Sequence, residues 1–266
     1  MRIGIVGCGG RMGGMLVAQV LNTGDCALAG GTERPGCDAV GLDVGTVAGR
    51  APVGLMVGAD ARALFEASEA VIDFTSPKAT VAHAALAAET GTALVIGTTG
   101  LEPPQQAVIA AAALRTVIVQ APNMSIGVNL LFSLVEQVAK ILDENYDIEI
   151  VEMHHRHKVD APSGTALGLG RAAALGRGVD LDTVAERVRD GNTGPRRRGD
   201  IGFATLRGGD VTGEHTVIFA TPGERVELTH KASSRAIFAQ GAVRAALWSK
   251  GRPPGLYSMR DVLGLG

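Results

Sequence analysis

The segment His154-His155-Arg156-His157-Lys158 sets five nitrogen bases side by side and runs on into Val159-Asp160-Ala161-Pro162-Ser163-Gly164-Thr165. Mutual repulsion makes such a run costly, and an anion bound among the bases relieves it. Ser163 and Thr165 are good caps for a helix that continues through Ala166 to Leu175. The N-terminal amides of that helix, at Gly164 and Thr165, are placed to hold a carboxylate. A solvated basic loop is the ordinary reading of a charge run, and three histidines beside a lysine make it less apt here. A metal reading also exists, since His155 and His157 alternate to one face of an extended chain and imidazole binds zinc. Against it, no nearby cysteine or closely spaced carboxylate completes a ligand set, and Arg156 and Lys158 repel a cation.

The second constellation is Gly7-Cys8-Gly9-Gly10-Arg11-Met12-Gly13, between an apolar first strand and a helical repeat. A dinucleotide needs glycine at such a turn: one residue makes the sharp bend, another lets the backbone approach the pyrophosphate, and the following helix N-terminus faces the phosphates. The third glycine of the usual spacing is Met12 in this chain, with Gly13 one place late. Glu33, at the end of the second strand, is placed to accept hydrogen bonds from an adenosine ribose, which favours the unphosphorylated cofactor. Arg34 beside it either pairs with a 2′-phosphate or is a solvated surface charge, and spacing leaves both open. Two later turns, Gly97-Thr98-Thr99-Gly100 and Ala121-Pro122-Asn123-Met124, are candidates to flank a nicotinamide ring, with ordinary turn chemistry as the alternative.

The elements that must position these residues follow from apolar periodicity. Met1 to Val6, Cys26 to Thr32, Ala70 to Thr75, Thr92 to Ile96 and Thr116 to Gln120 read as buried strands. Helical patterns follow Gly10, Pro77 and Pro104. This alternation predicts a doubly wound α/β domain with a parallel sheet covered on both faces. A helix is expected from about Ile126 to Leu142, and then the texture changes. Asp147 to Met153, Gly202 to Arg207, Thr216 to Ala220 and Arg225 to His230 read as strands of an antiparallel or mixed sheet. A last helix, Arg235 to Trp248, is periodic enough to pack back on the first domain.

Composition narrows the function classes. The chain has 266 residues, 25 Lys+Arg against 27 Asp+Glu, and 3% aromatic residues, a balance that argues against nucleic-acid binding. The longest apolar run, the eight residues Ala107 to Leu114, is too short to span a bilayer. The N-terminus reads as a strand and not as a signal peptide, and Cys8, Cys26 and Cys37 form no disulfide framework, so a cytoplasmic protein is expected. No G-x-S-x-G and no G-K-[ST] occurs, which sets aside a hydrolase nucleophile elbow and a nucleotide triphosphate loop. A metal-dependent hydrolase using His154, His155 and His157, and a non-catalytic dinucleotide sensor, are two readings that these residues leave open.

The stretch Glu152 to Ala166 resembles the signature of the bacterial 4-hydroxy-tetrahydrodipicolinate reductases, the dihydrodipicolinate reductase family of the diaminopimelate and lysine pathway. The likeness extends to Gly7 to Gly13, Asp73-Phe74-Thr75, Gly97 to Gly100, Asn123 to Asn129, Gly213-Glu214-His215 and His230 to Arg235, in the family's order over nearly the whole chain. At Pro122 and Met124 the sequence departs from the pattern, where other members carry Ala or Phe. The resemblance implies a Rossmann-like dinucleotide-binding domain, 1–125 plus 236–266, and an inserted α+β domain, 126–235, that binds substrate and builds a homotetramer. It implies hydride transfer from NADH or NADPH to C4 of a small cyclic dicarboxylate, with loss of the 4-hydroxyl as water and no metal. By the same resemblance His154 is the acid/base residue, Lys158 a proton donor, and His155, Gly164 and Thr165 the carboxylate hold. Cofactor contacts fall on Gly7, Cys8, Gly9, Gly10, Arg11, Met12, Glu33, Arg34, Gly97, Thr98, Thr99, Ala121, Pro122, Asn123 and Met124.

Overall fold

The computed structural model describes residues 1–265. In chain order its elements are β1 (Arg2–Val6), α1 (Arg11–Leu21), β2 (Ala27–Thr32), α2 (Val44–Val47), α3 (Ala61–Ala67), β3 (Ala70–Asp73), α4 (Pro77–Thr90), β4 (Ala93–Ile96), α5 (Pro103–Ala113), β5 (Val117–Gln120) and α6 (Ile126–Ile141). They continue with β6 (Asp147–His154), α7 (Gly164–Arg177), α8 (Leu181–Val184), β7 (Ala185–Glu186), β8 (Ile201–Arg207), β9 (Gly213–Thr221), β10 (Glu224–Ala232), α9 (Ala236–Ser249), β11 (Gly255–Tyr257) and α10 (Met259–Leu263). By contacts the chain falls into two units, residues 1–126 with the stretch from Ala236 onward, and Gly127–Arg235.

In the first unit a parallel sheet runs in the order β11-β5-β4-β3-β1-β2. Its strands are short and apolar throughout because both faces are covered. Along β3, β4 and β5 the side chains alternate: Ile72, Val95 and Val119 enter a core with Leu16 and Val20 of α1 and Ala242 and Ala245 of α9. Val71, Leu94 and Ile118 enter the opposite core with Ala84 of α4 and Ile109 of α5. The expected doubly wound architecture is the one observed, and α9 lies against α1 and β3–β5. The chain moves one way from β1 to β2 and the other way from β3 onward, so the crevice at the C-terminal ends of β1 and β3 is where such sheets bind ligands.

Differences from the expected boundaries have local causes. β3 stops at Asp73, short of Thr75, because the Asp73 carboxylate accepts hydrogen bonds from the Thr75 amide (2.9 Å) and hydroxyl (2.6 Å) and turns the chain. α3 was not expected; its start is marked by Asp60, whose side chain accepts from Arg62 N and Ala63 N. Three-residue β11 carries too little pattern to be read, and gains its place by pairing with β5.

The second unit holds a mixed sheet in the order β10-β9-β6-β8-β7, antiparallel across β10, β9 and β6 and parallel across β6, β8 and β7. Ile148 and Ile150 of β6 pack with Leu131 and Val135 of α6, Leu169 and Ala173 of α7, and Phe203, Val217 and Phe219 of the neighbouring strands. Fully burying such a side chain contributes about 1.5–3 kcal/mol. β6 extends one residue past the expected Met153, and its burial alternates so that Ile148, Ile150, Glu152 and His154 share the buried face. The last two gain nothing from leaving water, and stay there only through hydrogen bonds.

Candidate functional site

His154 is the final residue of β6, and its neighbours come from three other segments. On β6 itself Glu152 lies two residues earlier, on the same face, and its Oε2 meets His154 Nδ1 at 2.5 Å. Arg207 of β8, in register with His154, grips Glu152 bidentately, Nη1 to Oε2 at 2.9 Å and Nη2 to Oε1 at 3.0 Å. His215 of β9, in register with Glu152, stands edge-on to the His154 ring with centroids 5.1 Å apart. Finally, Ser163 donates its backbone N–H to Glu152 Oε1 (3.0 Å), while its hydroxyl lies 3.1 Å from His215 Nε2 and accepts from Ala166 N, capping α7. Thr165, expected as a second cap, lies inside the first turn of α7.

The charges of this cluster follow from its partners. Burial by itself would raise the Glu152 carboxyl, but Arg207, His154 and the Ser163 amide outweigh it and hold the group below the usual carboxylate range. For His154, burial pushes the imidazole below its ordinary value, with Lys158 and Arg207 adding to the effect and Glu152 opposing it. Burial and the neighbouring His154 push His215 down to about 4, so it is neutral near pH 7. With Nδ1 donating to a carboxylate, His154 keeps Nε2 for other partners. Beside Nε2 stands Gly213, where a Cβ would come within 3.0 Å of the ring nitrogen.

The rest of the basic run is less uniform than its sequence. Lys158 forms an ion pair with Asp160 (2.9 Å). His155 has a buried Nδ1 without a hydrogen-bond partner, and its ring lies 6.2 Å from that of His157. Glu152, His154 and His215 place ligand-type atoms within 4.8 Å of one another, a set that the sequence, with its attention on His155 and His157, did not single out. A divalent cation there would have to displace the guanidinium already spanning both Glu152 oxygens, so the donor set fits an ionic network better than a metal.

In the first unit the glycine-rich turn has the shape a dinucleotide requires. Gly7 adopts φ 69°, open only to glycine at little cost. At Gly13 a Cβ would stand 2.1 Å from the Gly7 carbonyl oxygen, so this residue, and not position 12, performs the close helix–strand packing of the third glycine. Gly10 caps α1 without a side-chain hydrogen bond, which leaves the first amides of the helix to an anion. The Gly9 amide donates to Glu33 Oε1 at 2.9 Å, drawing the acidic residue onto the turn. A cavity of about 300 Å³ opens at the β1/β3 crevice, with Gly7, Glu33, Arg34, Thr75 and His83 in its wall. These residues fit a dinucleotide.

Several expected contacts have inward-facing side chains. Cys8 and Met124 belong to the core, each 1% exposed. The Thr98 hydroxyl accepts from Thr75 N (3.0 Å) and Thr80 Oγ1 (2.9 Å), so these three positions have only backbone to offer a ligand. Thr99 and Pro122 are exposed, and Asn123 turns its side chain to Ser125 N at 2.8 Å. Asp73, which the sequence marks only as part of a motif and with no assigned role, is the anchor of this region. Asp73 is fully buried, and its Oδ2 meets His83 Nδ1 at 2.8 Å while Oδ1 holds Thr75. Burial would raise its carboxyl, but His83, Thr75 and Thr80 hold it below the ordinary value. A lone aspartate at the end of an apolar strand, with threonines close after it, was the available signal.

Two family models match the chain: one described as dihydrodipicolinate reductase, N-terminus, over residues 1–124, and one described as dihydrodipicolinate reductase, C-terminus, over residues 127–263. A protein of Afipia carboxidovorans named 4-hydroxy-tetrahydrodipicolinate reductase is 59% identical over 266 residues, which is 100% of this chain and 98% of that one. One of the same name from Rhodopseudomonas palustris is 57% identical, covering 100% of this chain and 97% of its own. Among solved structures, a dipicolinate-bound dihydrodipicolinate reductase from Paenisporosarcina sp. is similar with a TM-score of 0.78 and 24% identity, over 98% of each chain.

Proposed function

The chain belongs to the dihydrodipicolinate reductase family, and from that premise we propose how its residues divide the work. The reaction is reduction of 4-hydroxy-tetrahydrodipicolinate to tetrahydrodipicolinate by NADH or NADPH, with loss of water, in lysine biosynthesis through diaminopimelate. A bound reduced nicotinamide supplies the hydride. Residues 1–125 with 236–266 form the cofactor domain, where the turn from Gly7 to Met12 holds the pyrophosphate and Glu33 the adenosine ribose; Arg34 receives a 2′-phosphate when there is one. The turns Gly97 to Thr99 and Ala121 to Met124 border the nicotinamide, mostly through backbone groups.

Residues 126–235 hold the substrate. One carboxylate of the dicarboxylate sits on the Gly164 and Thr165 amides and the His155 ring, where a helix N-terminus and a base meet it. The 4-hydroxyl departs as water with a proton from Lys158, released from Asp160, while C3 gives up a proton to solvent; hydride then adds at C4 of the conjugated imine, and His154 Nε2 returns one proton to C3, so that one net proton is consumed. Burial, with Lys158 and Arg207 adding to it, disfavours imidazolium in the ligand-free site, and a bound dianion opposes that, so the substrate helps to protonate its own acid. The observation that carries this reading is the Glu152-paired His154 at the end of β6.

Each protomer offers β10 as an exposed sheet edge, which supports pairing between copies and a homotetramer. Three unpaired cysteines support a reducing, cytoplasmic setting. Purified protein should oxidise reduced nicotinamide when given freshly generated 4-hydroxy-tetrahydrodipicolinate, with dipicolinate competing. No oxidation would reject the reading. In sedimentation, a fully active monomer at every concentration would reject the tetramer.

A further inference from the structure

We propose that Glu152 is a positioning residue that couples the proton donor to the carboxylate hold, fixing the tautomer of His154 with one oxygen and the start of α7 with the other. The proposal rests on the assignment of His154 and of the Gly164 and Thr165 amides given above. Its support is geometric. Glu152 is 1% exposed, and both of its oxygens are committed. Oε2 takes His154 Nδ1 and Arg207 Nη1, while Oε1 takes Ser163 N and Arg207 Nη2. A carboxylate only accepts, so His154 Nδ1 must carry the proton, and the reactive lone pair or proton belongs to Nε2.

The same carboxylate sets where α7 begins. Ser163 is the N-cap, and the two residues after it carry the amides proposed to grip substrate. A shift of Glu152 therefore moves acid and anion hold together, whereas Arg207 keeps it from shifting: besides its bidentate grip it donates from Nη2 to Asp160 O at 2.7 Å, tying in the loop between β6 and α7. A carboxylate needed only for packing would not require both sites at once. Catalytic geometry tolerates displacements well below 1 Å, which is why such outer support matters.

The groups facing His154 are Glu152 on its own strand, Arg207 on β8, His215 on β9, and Lys158, itself paired with Asp160, in the following loop. Among these Glu152 is the negative group in direct contact, so its loss makes imidazolium harder to form. In Glu152→Gln, turnover should fall about 30-fold or more, a part of the roughly 10²- to 10⁴-fold that general acid catalysis contributes, because the acid itself is still present. KM for the reduced nicotinamide should stay within about twofold. The alkaline limb of the kcat profile should move to lower pH by about one unit, since a protonated His154 is lost earlier. Glu152→Asp retains the charge and should keep the limb near its original position even if turnover drops.

A measurement that needs no substrate decides the tautomer. In the nitrogen-15 histidine spectrum of the ligand-free wild type above pH 7, assigned with His154→Gln, His154 should appear as the Nδ1–H form, the minor tautomer of free histidine. An Nε2–H form would overturn the proposal whatever the enzyme's activity, and so would a Glu152→Gln protein with unchanged turnover or an unmoved pH limb. Failure of the wild type to reduce the substrate would instead remove the functional reading and leave the tautomer result standing.

Discussion

The end of β1 and the end of β6 are built from different kinds of groups. At the first, the useful groups are backbone amides, and the side chains that matter are mostly missing ones, at Gly7, Gly10 and Gly13. At the second, the useful groups are ionisable side chains, held on a buried strand face by Arg207 and the Ser163 amide. A backbone site is insensitive to charge and intolerant of added volume. A side-chain site is the reverse, because removing one partner strands a buried charge. Substitutions and pH should therefore separate the two regions.

The largest expected effects lie at β6. His154→Gln and Lys158→Ala should each lower turnover about 10²-fold or more, the range of general acid–base catalysis, with cofactor affinity nearly unchanged. His155→Ala should act mainly on substrate KM, because a carboxylate hold serves ground and transition states alike. Steady-state kinetics and cofactor titration check both. A Lys158 variant with wild-type turnover at saturating substrate would reduce that lysine to an anion clamp.

His215 provides the pH test of the same region. Its folded value of about 4 lies below the ordinary 6.5, so the unfolded chain takes up the proton first. Stability is then full above the ordinary value, declines as pH falls toward 4, and loses up to about 3 kcal/mol over that window. Denaturant titrations across this range should show the decline, and His215→Asn should flatten it. Equal slopes in the two proteins would break the assignment.

At β1 the sensitive change is volume. Gly13→Ala places a methyl 2.1 Å from a carbonyl oxygen and should cost about 1–3 kcal/mol, read as a lower melting temperature together with weaker cofactor binding. The smallest effect is expected at Arg34, which is exposed at the mouth of the cleft. Both cofactors should be used within about tenfold of each other, a gap of ~1.4 kcal/mol, and Arg34→Ala should weaken NADPH selectively. An equal loss for NADH would show that Arg34 does not meet the 2′-phosphate.

The sequence alone determined the alternation of strands and helices, the glycine turn after β1, and the placement of a basic segment between a strand and a capped helix. Those features are local: apolar periodicity, Ser163 before Gly164, and glycines at a tight bend are legible in a few consecutive residues. It also marked His154 as a candidate, through neighbours in the chain and a motif. Tertiary structure alone decided what surrounds that histidine. Arg207 and His215 lie 53 and 61 residues further on, and only the registers of β8 and β9 against β6 bring them to Glu152 and His154. Likewise, whether Thr98 faces ligand or Asp73 depends on how β3, β4 and α4 meet. Which partner a side chain finds is set by strand pairing over long sequence separations, and a residue's own neighbourhood in the chain carries no record of it.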